Sequence, residues 1–278
     1  CCAPLPSPTT SSWMVRRSLR GSSRCPIGRP STQRRASLLQ DVASEPLAML
    51  TVAAASDLRF ALNDILQAFT SQYPEQTSAK PIQVIYGSSG KISQQIRQSA
   101  PFDVFFSADQ RFTQELYHAG LTRDAGTLFA SGRLVLWSTK HDMRGVPLAD
   151  LTLEKYHKIA IAQPSHAPYG ERAKQSLQTA GVWPQLAPKL VFGENIAQTA
   201  QLAQSGAADV AIIALSLVKN PHLAASATNN NHAEHYQLLD EATYQPLLQT
   251  YTLTHSGAQK PRALQLLKFM QSQQAQQI

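Results

Sequence analysis

The sequence predicts an α/β fold of two mostly parallel sheets flanked by helices. From Leu47 onward, short apolar runs alternate with segments whose apolar residues recur at helical spacing, a pattern typical of strands connected by helices. The chain has 278 residues, enough for two lobes. No apolar run approaches the roughly 18 residues of a membrane span. These observations favour a two-lobed globular protein.

The first half of the chain reads as three strand–helix units. The apolar residues of the first helix keep helical spacing from Leu58 to Phe69, and Pro74 ends that unit. A second helix is predicted to start at Ile92, and a third to include Leu116. The predicted strands before these helices span residues 50–54, 82–86 and 103–106.

The second half repeats the alternation with its own strands. Gly206 is expected to end one of its helices in the left-handed conformation, and residues 228–232 are expected to form a polar loop. The predicted strands span residues 134–137, 159–162, 210–213 and 247–253, and the predicted helices span residues 171–180, 196–204 and 261–270.

The positive charge of the chain is concentrated at its start. The formal net charge is +7, but residues 1–46 hold seven arginines against Asp41 and Glu45, which gives this segment +5 and leaves +2 for the rest. All three cysteines lie in the same segment. The remainder therefore has neither the basic excess typical of nucleic-acid binding nor a thiol site, and its lack of cysteine fits an exported protein.

Residues 1–46 are expected to be a disordered or mis-framed basic tail. They are rich in Ser, Pro and Arg, lack a sustained apolar period and begin with Cys rather than Met. Arg16 and Arg17 resemble a twin-arginine export signal, but the apolar core of about 7–15 residues that should follow is not visible before Leu47. No signal peptide is therefore predicted within this stretch.

Two predicted helix starts carry the pattern of an anion site. Residues 87–90 (Gly-Ser-Ser-Gly) lead into one helix, and residues 53–57 (Ala-Ala-Ala-Ser-Asp) precede another. Unpaired main-chain N–H groups and the positive end of the helix dipole meet at a helix start, and serine hydroxyls add donors without charge. The pattern predicts a site for a small oxyanion. Two simpler interpretations stay open, in which Ser56 and Asp57 cap a helix and residues 87–90 form an ordinary turn.

Common catalytic motifs do not fit the chain. A P-loop needs glycine and Ser or Thr where the chain has Ile85 and Ile92, and a nucleophile elbow fails because Gly90 directly follows Ser89. The eight histidines show no zinc-binding spacing. We therefore expect neither an enzyme nor a cofactor.

Six motifs, in this order, resemble those of the periplasmic molybdate-binding proteins of ABC importers. Each motif alone is weak evidence, but their order and separations are typical of that family, and the resemblance runs from about residue 50 to residue 269. The motifs are AAASDL at 53–58, GSSG at 87–90, APFDVFFSAD at 100–109, APYG at 167–170, GENI at 193–196 and GAADV at 206–210.

This resemblance implies a two-lobed type II periplasmic binding protein. Each lobe would hold a mostly parallel sheet flanked by helices, and two hinge crossings, near residues 132–133 and 244–246, would join the lobes and let them close on a ligand. Lobe one would comprise residues 47–130 and 240–278, and lobe two residues 131–239.

The family's ligand contacts, carried over onto matching positions, fall on five residues. Ser56 and Ser89 would donate hydroxyl and main-chain N–H groups from lobe one, and Asp57 would add its main-chain N–H. Tyr169 would contact the ligand from lobe two, as would Ile196 through its main-chain N–H. All would contact oxygens of molybdate, and none would ligate the metal directly.

Uncharged donors suffice for such a ligand. Hydrogen bonds to a charged group contribute about 1.5–3 kcal/mol each, so about six exceed the roughly 8 kcal/mol that micromolar binding needs. Some family members place a tyrosine donor where this chain has Ala214, which makes Tyr169 the expected phenolic donor. Glu194, beside Ile196, is expected to point away or to cap its own helix, and Lys91 is expected to be solvated.

The predicted function is an extracytoplasmic, periplasmic receptor that captures molybdate or tungstate for an ABC permease. We expect a monomer that binds no nucleic acid. Two alternatives stay open: a receptor for another oxyanion (sulfate, phosphate or thiosulfate) and the ligand-sensing domain of a transcriptional regulator. A regulator would need a helix-turn-helix module, and residues 1–46 show no apolar helical pattern to supply one.

Overall fold

The computed structural model describes residues 49–74, 81–220, 223 and 235–278. These residues form two five-stranded sheets with helices packed against them. Every strand and helix predicted above is present within a few residues of its expected bounds. The tail and the predicted polar loop at 228–232 lie outside the described residues.

Sheet one has the strand order β2-β1-β3-β10-β4. Strand β1 pairs in parallel with β2 and β3, whereas β10 pairs antiparallel with β3 and β4. Its strands are β1 Leu50–Ala55, β2 Ile82–Gly87, β3 Val104–Ser107, β4 Thr127–Gly132 and β10 Leu247–Leu253.

Sheet two repeats this arrangement with the order β7-β6-β8-β5-β9. Strand β6 pairs in parallel with β7 and β8, and β5 pairs antiparallel with β8 and β9. Both sheets are therefore mixed, with four of the five strands in each running in one direction. Its strands are β5 Leu134–Trp137, β6 Ile159–Ala162, β7 Leu190–Gly193, β8 Val210–Ala214 and β9 Gln237–Leu238.

The helices connect these strands and cover both sheets. Asp109 and Asn195 cap the starts of two of them, and Gly206 follows the end of α6 with a φ of 76°. None of the helices in the described part of the chain is long and apolar enough to cross a membrane. The helices are α1 Arg59–Gln72, α2 Ser89–Arg97, α3 Gln110–His118, α4 Pro168–Thr179, α5 Trp183–Leu186, α6 Ile196–Gln204, α7 Leu215–Val218, α8 His255–Ala258, α9 Pro261–Met270 and α10 Gln273–Gln276.

Burial differs between the strands that appear as apolar runs and those that the sequence analysis missed. All residues of β1, β5, β6 and β8 are buried, so these strands appear as continuous apolar runs. Strands β4 and β7 are largely half-buried or exposed, and neither was predicted, although each holds an apolar run of three residues, at 128–130 and 190–192. The chain passes from sheet one to sheet two between Gly132, the end of β4, and Leu134, the start of β5.

Candidate functional site

A small cleft lies where strands of both sheets end. In open α/β sheets, ligands bind outside the carboxyl ends of parallel strands. The cleft has about 190 Å³ of free space, solvent at its mouth included. The five predicted contact residues all line it: Ser56 and Asp57 after β1, Ser89 after β2, Tyr169 after β6 and Ile196 after β7.

Ser56 and Ser89 keep their hydroxyl hydrogens available. Ser56 Oγ accepts a hydrogen bond from Ala197 N at 3.4 Å, and Ser89 Oγ accepts one from Ala108 N at 2.9 Å. Neither hydroxyl donates to another group among the described residues. Because each oxygen already accepts an N–H, the O–H of each serine is oriented and free to donate.

The two simpler interpretations of these motifs are wrong. No side chain caps the 3₁₀ turn Ser56–Leu58 or α1, so neither Ser56 nor Asp57 acts as a helix cap. Residues 87–90 are not an ordinary turn, since Gly87 ends β2 and Ser89 already belongs to α2. Both motifs are strand–helix junctions that face the cleft.

Two helices, one from each lobe, begin at the cleft. Ser89 is the first residue of α2 and Ile196 the first residue of α6, so their main-chain N–H groups have no acceptor within their own helices. Asn195 Oδ1 caps α6 through Gln198 N at 3.0 Å and leaves the N–H of Ile196 unused. The positive ends of both helix dipoles therefore favour an anion here.

Asp57 is the only acidic residue that lines the cleft, and none of the described lining residues is Lys or Arg. Its Oδ2 accepts hydrogen bonds from Tyr169 Oη at 3.0 Å and from Gln249 Nε2 at 2.6 Å, while its buried Oδ1 has no partner among the described residues. Burial raises the pKa of Asp57 to about 6, although the hydrogen bonds from Tyr169, Gln249 and its own main-chain N–H act in the opposite direction.

The hydroxyl of Tyr169 bridges the two lobes. It donates to Asp57 and accepts a hydrogen bond from Gln249 Nε2 at 2.9 Å. Burial raises the pKa of Tyr169 well above its usual value, so the phenol stays neutral. Gln249 lies within β10 in no recognisable motif, and sequence reasoning missed it. Ala214, the position at which the family resemblance implied an alternative tyrosine, is buried at the end of β8 and does not line the cleft.

The lobes touch each other around the cleft. Gly90 N donates to His166 O at 3.0 Å, and Ser88 Oγ and His166 Nδ1 lie 2.9 Å apart. On another side, Ser216 Oγ donates to Asp57 O at 3.0 Å. A Cβ atom at Gly90 would lie 2.5 Å from His166 O, so this approach of the two backbones requires glycine.

Four charged residues form a network across the lobe boundary. Arg172 Nη2 on α4 lies 2.6 Å from Asp109 Oδ2 at the start of α3, and both side chains are only 5% exposed. Arg111 Nη2 and Glu171 Oε2 pair at 2.9 Å, and Glu171 also pairs with Arg172. Because each lobe supplies one cation and one anion, the network links the lobes without net charge.

Glu194 pairs with Lys91 and lies 3.6 Å from His166 Nε2. Lys91 is exposed, as expected, although it also pairs with Glu194, and the helix cap is Asn195 rather than Glu194. Glu194 is not among the residues that line the cleft. No group of three or more His, Cys, Asp or Glu side chains in the described ranges is placed to hold a metal ion.

Residues 50–278 match the model of the family described as bacterial extracellular solute-binding protein. The chain belongs to this family. Nearly the whole described region falls within the match. The two mixed sheets flanked by helices are therefore the two lobes of a solute-binding protein, and the cleft lies between them.

Curated relatives of this solute-binding protein include molybdate receptors. The molybdate-binding protein ModA of Rhodobacter capsulatus is 34% identical over 197 residues, which cover 69% of this chain and 73% of that protein. ModA of Azotobacter vinelandii is 32% identical over 234 residues, which cover 83% of this chain and 87% of that protein.

Solved structures of similar fold bind several kinds of solute. The periplasmic molybdate-binding protein of Azotobacter vinelandii aligns with a TM-score of 0.68 and 30% identity, over 81% of this chain and 94% of that one. The sulfate-binding protein SubI of Mycobacterium tuberculosis aligns with a TM-score of 0.62 over 82% and 83%, but at 13% identity this likeness shows the fold alone. The fold is that of a type II periplasmic binding protein.

Proposed function

We propose that this solute-binding protein captures molybdate in the cleft between its lobes, and tungstate as a close analogue. One observation carries the proposal: Ser56, Ser89, Tyr169 and Ile196, from both lobes, line a single small cleft whose described lining contains no Lys or Arg. The similarity to molybdate-binding relatives supports the choice of ligand.

The donor set suits a tetrahedral dianion. Two serine hydroxyls and the N–H groups at two helix starts supply uncharged donors, and Tyr169 lies beside them with its hydrogen donated to Asp57. Hydrogen bonds to a charged acceptor contribute about 1.5–3 kcal/mol each, so this set accounts for micromolar or tighter binding without an arginine. Without a fixed cation, discrimination from sulfate rests on size, because molybdate and tungstate are larger.

The proposed role is transport without chemistry. A solute-binding protein with this ligand would work outside the cytoplasm and deliver the oxyanion to an ABC permease at the membrane. It would act as a monomer, without a cofactor or nucleic acid, and closure of the lobes would present the loaded form to the permease.

Calorimetric titration of the full chain with molybdate, tungstate, sulfate and phosphate tests this proposal. We expect molybdate and tungstate to bind with micromolar or lower Kd, and sulfate and phosphate to bind at least about a hundredfold more weakly, a difference of about 3 kcal/mol. Sulfate or phosphate binding as tight as molybdate binding would overturn the ligand assignment in favour of a general oxyanion receptor.

A further inference from the structure

The carboxyl group of Asp57 conflicts with a site for a dianion. Asp57 is the only acidic residue among the described residues that line the cleft, its side chain is buried, and its Oδ1 has no hydrogen-bond partner among the residues described. A buried carboxylate and a dianion in one small cleft repel each other strongly, because little water screens them. The net charge of the groups around the cleft must therefore change when an oxyanion binds.

The hydrogen-bond count at Tyr169 points to where that change occurs. A phenol has one hydrogen, and Tyr169 donates it to Asp57 Oδ2 while Gln249 Nε2 donates to both groups. As long as Asp57 is ionised, Tyr169 has no hydrogen left for a ligand. A protonated Asp57 reverses the bond: the acid donates to Tyr169, and the phenol can donate to an oxyanion.

No nearby cation offers an alternative way to neutralise Asp57. Among the described residues, no Lys or Arg pairs with its carboxyl group. The elements packed around it contribute neutral groups: Tyr169 from α4, Gln249 from β10 and Ser216 from α7. No His or acidic side chain of the described region bonds to it.

The charged and titratable groups just beyond Tyr169, Gln249 and Ser216 interact with other residues. Tyr244 accepts a hydrogen bond from Leu134 N, and the cations of this region pair elsewhere. Arg59 stacks over Tyr86, Lys219 over Tyr236, and Arg133 pairs with Glu241.

We propose that binding of an oxyanion dianion in this cleft takes up one proton from solvent, which Asp57 carries. The carboxylate gains the proton and becomes a carboxylic acid, and no other bond is made or broken. This inference rests on the proposed function and assigns Asp57 a part in it beyond its main-chain N–H. Burial has already raised the pKa of Asp57 to about 6, so the proton is gained at little cost near neutral pH.

Molybdate titrations of the full chain test the inference. In weakly buffered solution at about pH 8, where free Asp57 is ionised, we expect uptake of one proton per molybdate bound. Between about pH 7 and 9, Kd should rise about tenfold per pH unit. Asp57→Asn should bind molybdate with no proton uptake and with a Kd independent of pH. Asp64→Asn, an exposed carboxylate on α1, is the matched control and should behave like the unchanged chain.

The infrared difference spectrum of the unchanged protein gives a second measurement that does not depend on a variant folding. Molybdate binding at about pH 8 should add the C=O band of a protonated carboxyl group. Molybdate binding without proton uptake, or uptake that persists in Asp57→Asn, would overturn the inference and leave the proposed function standing. Failure of the unchanged chain to bind molybdate at any pH would overturn both.

Discussion

At the scale of single residues, Ser56 and Ser89 supply hydroxyl donors to the cleft. Each oxygen accepts a main-chain N–H, at 3.4 Å for Ser56 and 2.9 Å for Ser89, which leaves its own O–H available to donate. Neutral, oriented donors hold a dianion without the desolvation cost of a buried cation. In this cleft, small neutral side chains therefore do what an arginine would do in another anion receptor.

Replacing Ser56 by Ala should weaken molybdate binding by about 1.5–3 kcal/mol, because one hydrogen bond to a charged acceptor is lost. Thermal unfolding of the ligand-free protein should change little, since among the described residues the Ser56 side chain makes only the long bond from Ala197 N. Calorimetry measures the first effect. Ser205→Ala, at an exposed position after α6, is the control. Unchanged affinity in both Ser56→Ala and Ser89→Ala would contradict the site.

Asp57→Asn should change the pH dependence of stability. The pKa of this carboxyl group is about 6 in the folded protein against an ordinary 3.8, so the folded state binds the proton more tightly. The stability it contributes is complete below about pH 4 and is lost as the pH rises through about 6.

The variant should therefore be more stable than the unchanged chain by up to about 3 kcal/mol at about pH 8, and should lose that advantage near pH 4. Urea unfolding at the two pH values, without ligand, measures the difference. A gain of the same size at both values would show that the charge of Asp57 is not its cause.

At the scale of secondary-structure elements, the start of α2 and the loop before α4 control how closely the lobes approach. Gly90 N donates to His166 O at 3.0 Å, and the three atoms nearest to a Cβ at Gly90 all belong to His166. The nearest contacts of an added methyl group would therefore be with lobe two.

Gly90→Ala should therefore weaken molybdate binding by about 1–3 kcal/mol, the usual cost of overpacking a close contact. The free energy of unfolding without ligand should stay within about 1 kcal/mol, since alanine also favours the helix. Calorimetry and urea unfolding separate the two effects. Equal affinity in the variant would mean that the lobes bind ligand without this contact.

At the scale of the whole molecule, lobe closure depends on the buried pair of Asp109 and Arg172. Arg172 also donates from Nε to Gln245 O at 3.0 Å, close to where the chain returns to sheet one. Removing one partner of a buried pair typically costs about 3–5 kcal/mol, because the other charge stays buried. This cost should destabilise the closed arrangement, in which the lobes touch, relative to an open one.

Arg172→Met should thus leave the protein more open. We expect a larger radius of gyration by small-angle X-ray scattering in saturating molybdate, and at least about tenfold weaker binding. Arg144→Met removes an exposed arginine that pairs with Asp142 inside lobe two, and should change neither quantity. Equal radii for Arg172→Met and the unchanged chain would contradict the role of the pair.

The sequence by itself determined the order of the elements and the residues that gather at the cleft. Buried strands such as β1 and β8 read as continuous apolar runs, and small residues with hydroxyls mark the helix starts at Ser56 and Ser89. Both signals are local, since periodicity and helix-start chemistry act within a few residues. The half-buried strands β4 and β7 hold apolar runs of only three residues, and neither was predicted.

Only the tertiary structure decided which partners those residues meet. Asp57, Tyr169 and Gln249 are separated by 80 to 192 positions along the chain, yet their side chains share three hydrogen bonds. The pairing of Asp109 with Arg172 arises in the same way. Such contacts depend on how two sheets are placed against each other, and no local pattern of residues encodes that placement.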